Sequence, residues 1–171
     1  MLRFYSPAPI PEDEAERRAA VRASGALLLT GDPVLQALAE QAAVRFSAPM
    51  AGVSIVDDDL QFFPAAANLP VRQTSRACSF CSHAMNAASG LLCVPDAGAD
   101  TRFAGNPLVV ADPHLRFYAG AALVEAGGQP LGALCVLDTV PRAPLDAQEA
   151  HDLRSLAQKV MMRIAERQLK D

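Results

Sequence analysis

The sequence lacks several features that would assign a function at once. Its 171 residues include no tryptophan and four cysteines, and no uncharged apolar run approaches the roughly 18 residues that a membrane-spanning helix needs. Because four cysteines are too few for a disulfide scaffold in a chain of this length, we expect free thiols. Residues 1–11 show neither the apolar central run nor the small-residue cleavage site of a secretory signal. We therefore expect a cytoplasmic protein that does not contact membranes.

An excess of one charge is also missing. The chain carries 15 basic and 19 acidic residues, a net charge of −4, and neither sign forms a long block. Nucleic acid is therefore not an expected partner. Apolar residues make up 51 % and charged residues 20 %, which is typical of a globular protein. The length suits one domain of the common size of roughly 100–200 residues.

Spacing and end signals predict helices at both ends of the chain and a short helix between them. A helix is predicted over residues 11–24, where acidic residues precede basic ones and so suit the helix dipole. Asp32 can cap a second helix, and Ser79 can cap a short helix that Gly90 ends. Residues 146–149 carry the capping pattern that opens a long final helix with an apolar stripe.

The remaining apolar segments predict strands that are joined mostly by tight turns. A hairpin is predicted over residues 50–66 and a short strand over 91–94, which a long loop over 95–114 follows. A second hairpin is predicted from strands 116–124 and 131–138. Both of its strands are apolar at nearly every position, which indicates a sheet that is covered on both faces. Strands joined by tight turns, with helices at both ends of the chain, favour an α+β fold with an antiparallel sheet.

Six stretches resemble, in order and spacing, the GAF domain family. They are residues 51–57 (AGVSIVD), 79–84 (SFCSHA), 94–97 (VPDA), 100–107 (DTRFAGNP), 116–120 (RFYAG) and 132–138 (GALCVLD). The likeness covers roughly residues 14–163 and is closest to the GAF type found with diguanylate cyclases and sensor histidine kinases. It divides the chain into an N-terminal extension, residues 1–13, and a single GAF domain, residues 14–171.

The resemblance implies both an architecture and a role. It implies a central antiparallel sheet with terminal helices on one face, and a small-molecule pocket on the other face beneath a short helix and the long loop. GAF domains generally sense small ligands and signal to an output domain. The chain shows no output domain, so it regulates a separate protein, acts through self-association, or is a fragment. We expect a non-catalytic sensor that forms a homodimer through its terminal helices, with a ligand and cofactor that the sequence does not identify.

Aromatic, charged and polar side chains near the implied pocket are candidates for ligand binding: Phe80, His83, Asp100, Arg102, Phe103, Phe117 and Tyr118. An imidazole can bind an anion or haem iron, but His83 can equally brace the loop, since either face of its helix could meet the pocket. Arg102 can bind Asp100 and fix the loop, or bind a ligand. The aromatic side chains can form pocket wall or ordinary core.

The cysteines keep a second function open, a thiol-dependent redox enzyme of the free methionine-(R)-sulfoxide reductase type, which shares the GAF fold. Cys78 and Cys81 form a lone C-x-x-C, which could be a redox pair or half a zinc site. Cys93 and Cys135 lie in apolar strands and suit the core. No metal is expected, because a structural zinc needs a second ligand pair nearby.

A third reading is a bilin photoreceptor. Such GAF domains commonly attach their pigment to a cysteine that a histidine follows directly. In this sequence Ser82 separates Cys81 from His83, so the attachment geometry is in doubt. Cyclic-nucleotide GAF domains carry an Asn-Lys signature that Asn106 does not match, because a proline follows it.

Overall fold

Tight turns fold successive apolar strands back on one another, so neighbouring strands pair antiparallel. In the computed structural model, which describes residues 4–170, six strands form one sheet in the order β3-β2-β1-β6-β5-β4. The strands are β1 (Met50–Asp57), β2 (Leu60–Ala67), β3 (Gln73–Ser75), β4 (Leu91–Val94), β5 (Phe117–Val124) and β6 (Pro130–Asp138). Residues 1–3 of the predicted extension and residue 171 of the predicted domain lie outside the described residues.

Helices account for most of the remaining chain. The α-helices are α1 (Glu14–Ser24), α2 (Pro33–Arg45), α3 (Phe80–Asn86), α4 (Pro107–Val110) and α5 (Ala147–Leu169), and short 3-10 helices span Ala26–Leu28, Arg76–Cys78 and Ala97–Ala99. The predicted caps form: the Asp32 carboxylate accepts from the amides of Val34 and Leu35, each at 3.0 Å, and Asp146 and Glu149 make a reciprocal capping box. None of the described helices is both long and apolar enough to cross a membrane.

The two faces of the sheet are buried by different layers. One face packs on α1, α2 and α5, which bury Val21, Leu35 and Leu153 against it. The other face packs on α3, α4 and the loop between β4 and β5, which we call the roof. Because side chains alternate along a strand, β6 sends Val136 to the helical layer and Leu137 to the roof. This confirms the predicted α+β fold with a sheet covered on both faces.

Several predicted boundaries are wrong. Helix α3 ends at Asn86 rather than at Gly90, because the backbone is already extended at Ala87. The segment predicted as a loop over 95–114 contains the 3-10 helix at 97–99 and α4, which Asp96 and Asn106 cap by accepting hydrogen bonds from amides two residues later. Strand β3 was not expected, because it is a three-residue edge strand without an apolar pattern.

Candidate functional site

A small, partly enclosed cavity lies between the roof and the sheet. Its volume is about 40 Å³. The walls come from β2 and the segment after it, from α3, from the roof around α4, and from β5 and β6. The lining residues are Gln61, Phe63, Leu69, Pro70, Val71, Thr74, Phe80, Cys81, Leu108, Pro113, Leu115, Tyr118, Cys135 and Leu137. The described residues that line this cavity include no acidic or basic side chain, so the site is almost wholly apolar.

Stacked aromatic rings form one wall of the cavity. Ser79 caps α3 by accepting from the Ser82 amide at 3.0 Å, which fixes the position of Phe80 at the first turn. The Phe80 ring stacks on Phe103, with ring centroids 4.2 Å apart, and lies 5.3 Å from the Tyr118 ring. The aromatic predictions therefore fall into two positions: Phe80 and Tyr118 line the cavity, and Phe103 lies behind Phe80.

A buried polar network lies at the β1–β2 side of the cavity. The Gln61 carbonyl oxygen accepts hydrogen bonds from the hydroxyls of Ser54 and Ser79, at 2.9 and 2.8 Å, and its amide donates to Thr74 at 2.8 Å. Sequence reasoning missed these residues. The available signal was a serine and a glutamine inside apolar strands, because buried polar side chains need partners.

The hydroxyl of Tyr118 reaches the thiol of Cys81. Their oxygen and sulfur atoms lie 3.1 Å apart, and both groups are fully buried. Burial raises the pKa of Tyr118 well above its ordinary value, and hydrogen bonding with Cys81, together with burial, raises the pKa of the Cys135 thiol. The phenol and the Cys135 thiol therefore stay neutral near pH 7. Burial raises the pKa of the Cys81 thiol, but hydrogen bonds with Cys135, Ser54 and Tyr118 outweigh burial and lower it.

The candidate thiols are distributed over both faces of the sheet. All four are free: Cys81 and Cys135 line the cavity, whereas the half-buried Cys93 packs on the helical layer. Cys78 lies in the 3-10 helix before α3, where its sulfur is 3.4 Å from the hydroxyl of Ser75. The two cysteines of the C-x-x-C therefore have different neighbours.

His83 lies on the outer side of the roof and does not line the cavity. Its Nε2 atom is 2.8 Å from the carbonyl oxygen of Ser6, and its ring meets the Phe103 ring edge-on at 4.9 Å. Burial lowers the pKa of His83, and the neighbouring Arg102 adds to this effect. A neutral imidazole can donate from Nε2 to the Ser6 carbonyl, which is a bracing contact.

Asp100 and Arg102 bind each other on the surface of the roof. The Asp100 carboxylate accepts from the Arg102 guanidinium at 2.7 and 3.0 Å and from the Arg102 amide at 2.9 Å. This pairing lowers the pKa of Asp100. The guanidinium also lies over the Phe103 ring, 5.1 Å from its centroid. The pair thus fixes the roof, and neither residue lines the cavity.

Phe117 and Tyr118 point to opposite faces of the sheet, because they are adjacent in β5. Phe117 is buried in the helical layer and contacts the guanidinium of Arg142. It therefore lies on the other side of the sheet from the cavity.

The GAF domain family model matches residues 26–164. A curated relative, a cyclic di-GMP phosphodiesterase of Pseudomonas aeruginosa, is 43% identical over 156 residues, which are 91% of this chain and 26% of the relative. The chain thus spans about a quarter of that relative's length.

Similar solved structures agree with this assignment at the level of the fold. A domain of a two-component sensor histidine kinase from Sinorhizobium meliloti 1021 has a TM-score of 0.62 at 14% identity, covering 82% of this chain and 94% of that chain. The type II free methionine-R-sulfoxide reductase of Thermoplasma acidophilum has a TM-score of 0.61 at 11% identity, covering 85% and 95%. At these identities the likeness is one of fold.

One expectation from the sequence needs correction. The Pseudomonas relative is named as a phosphodiesterase, which points to an enzyme, so the expectation of a protein without enzymatic activity is wrong. The expected role in signalling is confirmed, since the matched family is that of a signalling sensor module. With the family model matching most of the chain and the six-stranded sheet built as described, the chain belongs to the GAF domain family.

Proposed function

We propose that residues 14–171 form a sensory domain that binds a small uncharged molecule in the roofed cavity and regulates cyclic di-GMP hydrolysis. The observation that carries the proposal is the cavity itself, which lies on the face of the sheet opposite the terminal helices. Enclosed apolar cavities with a few polar groups are the common form of small-molecule sites. The link to cyclic di-GMP rests on the Pseudomonas relative.

The chemistry of the walls supports an uncharged ligand with an apolar body. The lining includes the rings of Phe63, Phe80 and Tyr118 and four leucines, whereas the amide of Gln61 and the hydroxyl of Thr74 are polar. A charged ligand would lose its hydration without gaining a counter-charge from the described lining, which is costly. Nucleotides, including cyclic di-GMP, are therefore disfavoured as occupants of this cavity.

The size of the cavity implies that binding opens the roof. A volume of about 40 Å³ is far below the roughly 300–1,000 Å³ of common small-molecule sites. A larger molecule must displace part of the wall, and we propose that it displaces α3, which carries Phe80. We propose that Phe80 and Tyr118 contact the ligand directly, and that Phe103, His83 and the Asp100–Arg102 pair hold the roof behind them. Phe117 would support β5 from the opposite face.

Thermal denaturation with a matched pair of ligands tests the cavity. Phenol offers an uncharged ring with one hydroxyl, and benzoate offers a similar ring with a charge. Phenol should raise the melting temperature of the protein and of Cys93→Leu, whose side chain is outside the cavity. It should not raise that of Cys135→Leu, which fills the cavity. A rise with benzoate alone would contradict the proposed ligand class, and no rise with either, together with no small molecule retained in native mass spectrometry, would contradict binding.

Regulation is tested on the protein produced from its complete coding sequence. We expect that its expression lowers cellular cyclic di-GMP, measured by mass spectrometry, and that Phe80→Ala changes the extent of this decrease. Phe80 lines the cavity, so its effect would pass through the sensory site. An unchanged cyclic di-GMP level on expression of the protein would refute the proposed link to this nucleotide.

We also propose that the domain forms a homodimer through its terminal helices. Apolar side chains exposed on the helical layer support this: Val44 on α2 and Met162 and Leu169 on α5 are 79%, 63% and 88% exposed. Light scattering should give a dimer mass for the protein and a lower mass for Met162→Glu. A monomer mass at high micromolar concentration would contradict the proposal.

A further inference from the structure

The segment before α1 runs over the roof and is held by backbone hydrogen bonds. We call residues 4–13 the strap. The Phe4 carbonyl accepts from the Gly105 amide at 2.9 Å, and the Ser6 amide donates to the Arg102 carbonyl at 2.9 Å. These two bonds pair the start of the strap with residues 102–105 of the roof loop.

Two side chains of α3 hold the middle of the strap. His83 binds the carbonyl of Ser6, and the Asn86 side-chain amide donates to the carbonyl of Pro9 at 2.7 Å. The two residues are one helical turn apart, so they face the strap together. The strap therefore binds both parts of the roof, the loop and the helix.

The far end of the strap leads directly into α1. Asp13 accepts a hydrogen bond from the Gln129 side chain at 2.9 Å, and α1 begins at the next residue. Prolines at positions 7, 9 and 11 restrict the backbone between these two ends. A displacement at one end is thus transmitted along a short, stiff connection rather than absorbed by a flexible one.

Hydrogen bonds, rather than apolar burial, hold the strap. Phe4 and Ile10 are 75% and 59% exposed. An open cleft of about 620 Å³ lies along the strap, between Pro9 and Pro11 on one side and Met85 and Leu92 on the other. The strap therefore depends mainly on polar contacts for its attachment, as expected of a segment at the low-stability end of a fold.

Aromatic contacts connect the strap to the cavity. His83 meets the edge of Phe103, Phe103 stacks on Phe80, and Phe80 lines the cavity. A movement of Phe80 that admits a ligand must displace Phe103, since the ring centroids lie 4.2 Å apart with the planes at 10°. Displacement of Phe103 then disturbs His83, which also binds the strap through the Ser6 carbonyl.

We propose that the strap is a latch that closes the roof and transmits a displacement of the cavity wall to α1, with His83 and Asn86 as the positioning residues that hold it. The direction of the signal rests on the proposed sensing function. The attachment of the strap to the roof does not depend on that function, and it is tested without a ligand.

Fluorine NMR with fluorotyrosine tests the latch directly, because the chain has two tyrosines, Tyr5 in the strap and Tyr118 in the cavity wall. Tyr5→Phe assigns the two signals. His83→Ala and Asn86→Ala should move the Tyr5 signal to the position of an unfolded chain and leave the protein folded. His151→Ala, at an exposed position of α5, is the matched control and should leave both signals unchanged.

Hydrogen exchange provides a second measurement of the same contact. Exchange at the Ser6 and Gly105 amides should accelerate about tenfold in the double variant His83→Ala with Asn86→Ala. Unchanged exchange, together with an unchanged Tyr5 signal, would overturn the proposal that these residues hold the strap.

Phe103→Leu tests the connection between cavity and strap. It keeps an apolar side chain but removes the ring between Phe80 and His83, so it should shift the signals of Tyr118 and Tyr5 together. A shift of Tyr118 with an unchanged Tyr5 signal would overturn the transmission. A failure of phenol to raise the melting temperature would count against the proposed sensing function and leave the latch as it stands.

Discussion

Glu14 is a charged residue whose replacement should cost considerable stability. It lies in the first turn of α1, where its carboxylate accepts two hydrogen bonds from Arg17, at 2.8 and 3.0 Å, and is also bound by Arg76. The side chains of Arg17 and Arg76 are 0% and 7% exposed. Two buried positive charges thus share one carboxylate, and Arg76 brings the segment before α3 to this cluster.

The pKa of Glu14 sets the size of the effect. Burial raises this pKa, but the hydrogen bonds and charges of Arg17 and Arg76 outweigh burial and lower it from 4.5 to about 2. Since one pKa unit corresponds to about 1.4 kcal/mol, the ionised carboxylate stabilises the fold by about 3 kcal/mol. Removing one partner from a buried ion pair typically costs about 3–5 kcal/mol, which agrees.

We therefore expect Glu14→Gln to lower the free energy of unfolding by about 3 kcal/mol at pH 7. The assay is urea denaturation followed by circular dichroism. The control is Glu16→Gln, on an exposed position of the same helix. In thermal denaturation the loss corresponds to about 6–12 °C at roughly 2–4 °C per kcal/mol for a chain of this size.

The pH dependence provides a check on the cause. Because folding lowers the pKa of Glu14, its contribution is fully present above pH 4.5 and is lost as the pH falls toward about 2. The difference in stability between the protein and Glu14→Gln should therefore shrink between pH 5 and pH 2.5. A Glu14→Gln protein as stable as Glu16→Gln at pH 7 would refute the assignment of a stabilising ion cluster.

Three further predictions concern single residues. Asp32 caps α2 and binds the Arg163 guanidinium at 2.8 Å. Asp32→Ala should therefore lower the free energy of unfolding, measured in urea, by about 1–3 kcal/mol. A change under about 0.5 kcal/mol would contradict a stabilising role of Asp32. A Cβ at Gly132 would lie 1.9 Å from the Ser54 carbonyl oxygen. Gly132→Ala should therefore lose the folded circular dichroism spectrum. A native spectrum and melting temperature would instead show that β1 and β6 can separate there without cost. Burial lowers the pKa of His83, so its imidazole NMR signals should titrate with a midpoint below pH 6.5. The fold should then lose stability as the pH falls from 6.5 through the lowered pKa. A titration midpoint at or above pH 6.5 would count against the buried contact.

The sequence was sufficient to predict the fold because its signals were local and agreed with one another. Asp32 precedes a proline at the start of an apolar repeat, and residues 146–149 carry a capping box; both patterns act within one turn. Strand β6 is apolar at nearly every position, which required a layer on each face of the sheet. These signals predicted an α+β fold, and the resemblance to the GAF family implied which layer covers which face of the sheet.

The lining of the cavity could not be predicted in the same way. Phe63 and Leu69 come from β2 and the segment after it, which approach Phe80 only through the strand order of the sheet. The orientation of α3 was also undetermined, since a two-turn helix with apolar residues on both faces does not say which face is inside. Phe117 and Tyr118 posed the same problem, because in a strand buried on both sides either residue can face the cavity.

The strap and the ion cluster of Glu14 meet at the start of α1. The strap reaches it through Asp13, and the ion cluster reaches it through Glu14, which binds Arg76 just before α3. One connection consists of exposed hydrogen bonds and the other of buried charges, so the first should open at much lower free energy than the second. A ligand that displaces the roof would then shift the strap while Glu14 keeps α1 docked, so that α1 pivots about this cluster rather than unfolds.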